Sequence, residues 1–143
     1  MNAAFFLTPK SEVAYLYSDC SIRQGLERLK RTGYTSIPVL NRDGQYMGMI
    51  REGDFLYYLI DRAEGFALRD LENVRITEIM KPGIAAERIT VSIEKIIERA
   101  LKQNFVPLVD DGGYFIGIVT RGRVMKYLNN EIAKNTFSSA QNT

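Results

Sequence analysis

The stretch Ile37-Pro38-Val39-Leu40-Asn41-Arg42-Asp43-Gly44-Gln45-Tyr46-Met47-Gly48-Met49-Ile50 returns 69 residues later as Val106-Pro107-Leu108-Val109-Asp110-Asp111-Gly112-Gly113-Tyr114-Phe115-Ile116-Gly117-Ile118-Val119. The frame then continues without a gap, Phe55 falling on Val124, Tyr58 on Tyr127 and Leu59 on Leu128. A register held this long marks a duplicated folding unit rather than one shared turn. Two copies of a unit carry two matching surfaces, and function is expected where they meet.

Apolar spacing assigns the same elements to each copy. Val13-Ala14-Tyr15-Leu16 reads as a short strand, followed by a helix with Ile22, Leu26 and Leu29 on one face. Ser21 suits the N-cap of that helix and Gly33 its stop. Two β-rich runs, Ile37 to Leu40 and Tyr46 to Ile50, flank an Asp43-Gly44 hairpin turn. A second helix carries Phe55, Leu56, Leu59, Ile60 and Ala63. The second copy gives a strand over Ile84 to Ile89 and a helix with Ile93, Ile96, Ile97, Ala100 and Leu101. Strands over Val106 to Val109 and Phe115 to Val119 follow, then a helix with Val124, Met125, Leu128 and Ile132.

The expected fold is therefore α+β, two β-α-β-β-α repeats packed about a pseudo-two-fold axis with a cleft on either side. A small sheet covered on one side leaves an apolar face that the other copy buries. Residues 1–63 form the first repeat, 64–76 a connector, 77–133 the second repeat and 134–143 a polar flexible tail. The first copy has four more residues between Pro9 and Pro38 than the second between Pro82 and Pro107, a shortening assigned to the turn before Val106.

Composition narrows the function classes. A net charge of +2 lacks the dense basic stripe of a phosphate-backbone binder, so no nucleic-acid partner is expected. The chain has no histidine and one cysteine, Cys20, which reads as a packed thiol, so no metal site is expected. Common hydrolytic constellations are equally hard to assemble, and no catalytic residue is assigned. No apolar run approaches a membrane span, and Met1 to Leu7 has no signal-peptide pattern, so a cytoplasmic protein without membrane contact is expected.

The residues resemble a tandem pair of CBS domains, the Bateman module. The resemblance rests on Ile37-Pro38-Val39 and Val106-Pro107-Leu108, and on Gly48-Met49-Ile50 and Gly117-Ile118-Val119 ahead of a helix. The lead-in Ile76-Thr77-Glu78-Ile79-Met80-Lys81-Pro82 adds to it, matched loosely by Phe6-Leu7-Thr8-Pro9-Lys10. It covers Phe6 to about Ala133. Thr32 to Leu40 and Thr120-Arg121 look most like stand-alone bacterial CBS-pair proteins, some of which bind cyclic di-AMP. The family implies a non-enzymatic protein that holds an adenosine-containing ligand and alters a partner.

The family's ribose pattern, Gly-h-h-Thr/Ser-x-x-Asp with h hydrophobic, is split between the copies. Gly48-Met49-Ile50-Arg51-Glu52-Gly53-Asp54 keeps the Asp, and Gly117-Ile118-Val119-Thr120-Arg121-Gly122-Arg123 keeps the Thr. By the resemblance, Asp54 accepts ribose hydroxyls. Thr120 reads equally as a helix cap or as a cap that also touches ligand. Arg51, Arg121 and Arg123 place cations at positive helix ends, a conflict that a bound phosphate resolves; the alternative is three solvated arginines. The resemblance implies an adenine pocket from Val13, Ala14, Tyr34, Thr35, Ser36, Ile37 and Pro38 in one copy and Ile84, Ala85, Phe105, Val106 and Pro107 in the other.

The sequence supports three readings. The leading one is a homodimeric sensor of AMP, ADP or ATP, the nucleotide acting as regulatory ligand rather than catalytic cofactor, which changes affinity for a regulated protein the sequence does not identify. The alternatives are a cyclic di-AMP receptor and a ligand-free dimerisation scaffold.

Overall fold

A computed structural model describes residues 2–62, 65, 67, 69–81 and 83–141. In chain order its elements are β1 (Thr8–Pro9), β2 (Leu16–Tyr17), α1 (Ile22–Thr32), β3 (Ser36–Leu40), β4 (Tyr46–Arg51), α2 (Glu52–Asp61) and α3 (Asp70–Asn73). The second half continues with β5 (Glu87–Arg88), α4 (Ile93–Ala100), β6 (Phe105–Val109), β7 (Phe115–Thr120) and α5 (Arg121–Gln141). Each repeat starts its first helix on a serine. Ser21 Oγ accepts the Gln24 N–H at 3.2 Å while Gln24 Oε1 accepts the Ser21 N–H at 2.9 Å, and Ser92 Oγ accepts the Lys95 N–H at 3.2 Å. Gly33 ends α1 in the left-handed region at φ 72°, its N–H donating to the Leu29 carbonyl at 2.8 Å.

The strands form two sheets, ordered β2-β3-β4 and β1-β7-β6-β5. Within each, a parallel pair (β2 with β3, β5 with β6) adjoins an antiparallel hairpin (β3 with β4, β6 with β7). Both hairpins carry the same register shift, at Val39/Leu40 and at Leu108/Val109. The duplication therefore extends to the irregularities of the ladder.

The first strand of each repeat is shorter than the sequence implies. β2 holds Leu16–Tyr17, and Val13 to Tyr15 lie outside it; β5 holds Glu87–Arg88, and Ile84 to Ala86 precede it. A three-residue turn, Lys10–Glu12, bends the chain ahead of β2, so only its end reaches pairing distance of β3. The four-residue difference between the copies also divides in two. Leu16 pairs with Val39 and Glu87 with Leu108, so two residues are lost before the strand and two at the end of the helix, where α4 has 8 residues against 11 in α1.

The lead-in segments are exchanged. Thr8 and Pro9 pair antiparallel with Ile118 and Gly117, which puts β1 in the second repeat's sheet. Ala3 and Phe6, 0% and 1% exposed, join the second repeat's core with Ile96, Val106, Leu108 and Val119. Ile76, at 0%, instead joins Leu16, Ile22, Ile37, Val39, Ile50 and Phe55 in the first. Matching backbone bonds fix the swap: the Ala3 N–H donates to Val91 O at 3.3 Å and the Ile76 N–H to Cys20 O at 3.0 Å. A large apolar side chain fully buried contributes about 1.5–3 kcal/mol, so each repeat depends on the other's lead-in.

A third cluster, Val13, Leu40, Met49, Phe105, Phe115 and Ile118, joins the facing sheets. The pseudo-two-fold axis passes between Gln45 and Tyr114, which are bridged. Beside them the Phe115 N–H donates to Gly44 O and the Tyr46 N–H to Gly113 O, both at 3.0 Å. The connector contains α3, while Glu64, Phe66 and Leu68 within it, like Ala63 before it and Pro82 in the second repeat, lie outside the described residues. α5 extends to Gln141, through the stretch for which composition suggests a flexible tail; from Arg123 to Gln141 no glycine or proline interrupts it. Asn142 and Thr143 lie outside the described residues.

Candidate functional site

The hairpin of each repeat delivers its last strand straight into a helix, and the two helix starts line one cleft. The Glu52 N–H donates to Thr35 O at 3.0 Å and the Arg121 N–H to Asn104 O at 2.8 Å, equivalent bonds in the two copies. Between them a cleft of about 420 Å³ is lined by Thr35, Ser36, Met49, Arg51, Glu52, Gly53, Ile84, Lys102, Gln103, Asn104 and Arg121. Five residues singled out from the sequence, Thr35, Ser36, Arg51, Ile84 and Arg121, meet here. Both repeats contribute to its lining.

Its electrostatics are unbalanced. Arg51, Lys102 and Arg121 face one carboxylate, Glu52, and none of the three cations has an ion-pair partner among the described residues. Arg121 is partly engaged, its Nε donating to Ala100 O at 2.7 Å at the end of α4. Arg51 stands as N-cap of α2, where the helix dipole opposes its charge. Asp54, 5% exposed, meets that need from the other side: its Oδ2 accepts the Arg51 N–H at 2.9 Å. Asp54 is thus a capping carboxylate behind Arg51 and does not itself line the cleft.

Other expected residues are placed differently. Thr120 caps α5, its Oγ1 accepting the Arg123 N–H at 3.2 Å. Arg123 itself lines a separate cleft of about 370 Å³ with Phe5, Lys126 and Tyr127, away from Arg51 and Arg121. Ile37, Pro38, Val106 and Pro107 are buried in the strands, and Phe105 belongs to the core between the sheets. Val13 joins that core and Ala14 packs on the first repeat's core, while Tyr34 stands exposed before β3. Ala85 lines a neighbouring cleft of about 400 Å³ with Tyr46, Met80 and Ile84. There the Tyr46 hydroxyl donates to Ile84 O at 2.7 Å, and burial pushes its pKa well above the usual tyrosine value. The Ile84 carbonyl therefore already has a donor.

Lys102, Gln103 and Asn104 line the central cleft without having been singled out from sequence. The signal was present: Asn104 stands 69 residues after Thr35, in the frame of the repeat. The missing residues at the end of α4 obscured it by bringing Lys102 close to the strand. Among the described residues no group of three or more His, Cys, Asp or Glu could hold a metal ion, and no helix is long and apolar enough to cross a membrane.

Comparison with known proteins agrees with this architecture. The CBS domain family model matches residues 7–61 and 76–130. Cyclic di-AMP receptor B of Bacillus subtilis (strain 168) is 29% identical over 127 residues, covering 89% of this chain and 86% of that protein. A hypothetical conserved protein of Geobacillus kaustophilus superposes with a TM-score of 0.82 at 31% identity, covering 92% of this chain and 98% of that one. The CbpB protein of Listeria monocytogenes, solved in complex with c-di-AMP, gives a TM-score of 0.81 at 24% identity, over 92% and 97% of the two chains. At that identity the likeness is one of fold.

Proposed function

The chain belongs to the CBS domain family, with two copies of the domain along it, and on that premise we propose a regulatory receptor for an adenine nucleotide, with cyclic di-AMP the ligand its central cleft suits best. The observation that carries this reading is the meeting of Arg51 and Arg121, one from each repeat, in one cleft. A ligand with two phosphates can offer one to each of these two cations from opposite repeats. The kinship with a protein named cyclic di-AMP receptor B supports the same choice.

A mononucleotide is the second reading. AMP, ADP or ATP would use one arginine with Thr35, Ser36 and Ile84 and leave the other half of the cleft to water. The two readings differ in valence: one cyclic dinucleotide fills the cleft, whereas a mononucleotide leaves the Arg121 or the Arg51 side open.

Regulation follows from geometry shared by the repeats. A ligand touching both copies favours one relative orientation of the sheets, and it shifts that equilibrium only by its difference in affinity between orientations. The output surface in this reading is the exposed apolar face of α2, with Leu56, Tyr57 and Ile60 at 55–57% exposure, and of α5, with Met125 and Ile132. These faces suit self-association or a partner protein.

Calorimetric titration with cyclic di-AMP, AMP, ADP and ATP tests the proposal, alongside thermal unfolding. A ligand at 100 times its Kd adds about 2.7 kcal/mol to folded-state stability. Cyclic di-AMP is expected to bind with one molecule per chain and to lose affinity in both Arg51→Ala and Arg121→Ala. No heat and no shift with any of the four compounds would leave the scaffold reading in its place.

A further inference from the structure

In the second repeat Arg99 of α4 has a partner. Its Nη1 lies 3.2 Å from Glu87 Oε1 of β5, the two side chains only 15% and 22% exposed. The strand register identifies the counterparts in the first repeat: Leu16 pairs with Val39 as Glu87 pairs with Leu108, so Leu16 stands in the place of Glu87 and Arg28 in that of Arg99. The first repeat has kept the cation and lost its carboxylate. Arg28 Nε is buried and meets no hydrogen-bond partner, and Arg28 forms no ion pair among the described residues. A buried guanidinium nitrogen without an acceptor carries a desolvation cost that a bound anion would remove.

The structure is hollow beside it. A cleft of about 750 Å³ is walled by Arg28, Lys10, Arg42, Asp19, Tyr15 and Tyr17 among others. Lys10 Nζ lies 5.2 Å from the Tyr15 ring centre and the Arg42 guanidinium 4.2 Å from that of Tyr17. Asp19, the cleft's one carboxylate, is paired with Arg42 at 2.9 Å. Two positive charges, on Arg28 and Lys10, therefore remain without a counter-charge. Thr35, Arg51 and Arg121 line the central cleft and not this one.

We propose that this cleft is a second ligand site, separate from the nucleotide cleft, that takes a phosphate-bearing small molecule. Arg28 supplies a forked contact to the phosphate oxygens and Lys10 a second charge, while Tyr15 and Tyr17 flank whatever the phosphate carries. A phosphate matches the pair better than a carboxylate, because its charge approaches −2 at neutral pH. The second repeat offers no such site, since Glu87 occupies the corresponding place.

The test uses the full chain carrying Arg51→Ala and Arg121→Ala, so that phosphate bound in the central cleft does not contribute. Thermal midpoints are followed against inorganic phosphate and against sodium chloride at matched ionic strength. Phosphate is expected to raise the midpoint where chloride does not, with the apparent affinity falling about tenfold or more in Arg28→Met, since a charge-assisted fork is lost. Leu16→Glu supplies the carboxylate of the second repeat and should abolish the effect by a different route, which keeps the test decisive if Arg28→Met does not fold. Lys10→Ala, at a surface-accessible position, should weaken it as well. Phenyl phosphate separates the sources: tighter binding than inorganic phosphate marks an organic phosphate as the ligand, equal binding the free ion, and either supports the site. A midpoint that rises equally in chloride, or a phosphate effect unchanged by all three substitutions, overturns it.

Discussion

Asn104 occupies in the second repeat the place that Thr35 occupies in the first, and its Nδ2 approaches Thr35 Oγ1 to 3.5 Å. Side chains at equivalent positions touch only where the symmetry axis passes between them, so this contact marks the axis at the mouth of the central cleft. Both residues are exposed.

Filling that point should close the cleft without disturbing the core. Asn104→Trp is expected to weaken adenine-nucleotide binding by about 100-fold while changing stability by no more than about 0.5 kcal/mol, as for a surface substitution. Titration calorimetry and urea unfolding read the two effects. Unchanged affinity would move the ligand away from the axis.

Asp54 links the site to the fold. Its carboxylate accepts the Arg51 N–H from a nearly buried position, so Asp54→Ala removes a cap and is expected to destabilise the protein by about 1–2 kcal/mol in urea unfolding. Asp54→Asn retains an acceptor and should recover most of that loss. If binding also recovers in Asp54→Asn, the carboxylate acts by holding Arg51 rather than by touching the ligand.

Gly48 and Gly117 are equivalent, at φ 147° and 152°, yet they face different neighbours. A Cβ on Gly48 would press on the flexible end of Met80 at 3.2 Å, whereas one on Gly117 would fall on the Thr8 carbonyl oxygen of β1. Both alanine variants incur about 1–3 kcal/mol of backbone strain. Gly117→Ala should be the worse by at least about 1 kcal/mol, because the clash is with backbone. Thermal unfolding of the pair measures the difference, and equal midpoints would mean that β1 does not hold its pairing with β7.

Burial, aided by the neighbouring Asp19, pushes the Cys20 thiol from 9.0 up to about 11. Only the thiolate reacts, so alkylation by iodoacetamide at pH 8 should run about 100-fold slower than for the urea-unfolded chain. The folded form also keeps this proton where the unfolded form has lost it, so stability should fall as pH rises from 9.0 toward about 11. Cys20→Ser removes that slope if the thiol is its source.

Much of the architecture was legible in the sequence because it is local. Ser21, Gly33 and the Asp43-Gly44 step act on neighbouring backbone, and the unbroken apolar run Ile37 to Leu40 reports its own burial. The exchange of lead-in segments was not legible, since Phe6 and Ile76 are apolar residues whose destination depends on contacts far along the chain. At the site, Arg51 and Arg121 could be found from the electrostatic conflict each creates at a helix start. Arg123 has the same chemistry three positions after Thr120, but it sits two residues past Arg121, on another side of the helix, and lines a cleft with Phe5 and Tyr127 instead. Charge at a helix start was readable, and its azimuth was not.

The exchange also sets the order of events in synthesis. Thr8 and Pro9 find their strand partner only at Gly117 and Ile118, so a strand of the first lead-in waits for the last strand of the second repeat. The first repeat, meanwhile, stays open until Ile76 arrives to cover Ile22 and Phe55. A chain stopped before Ile76 therefore leaves the first repeat's core open, and one stopped before Ile118 leaves Thr8 and Pro9 without a strand partner.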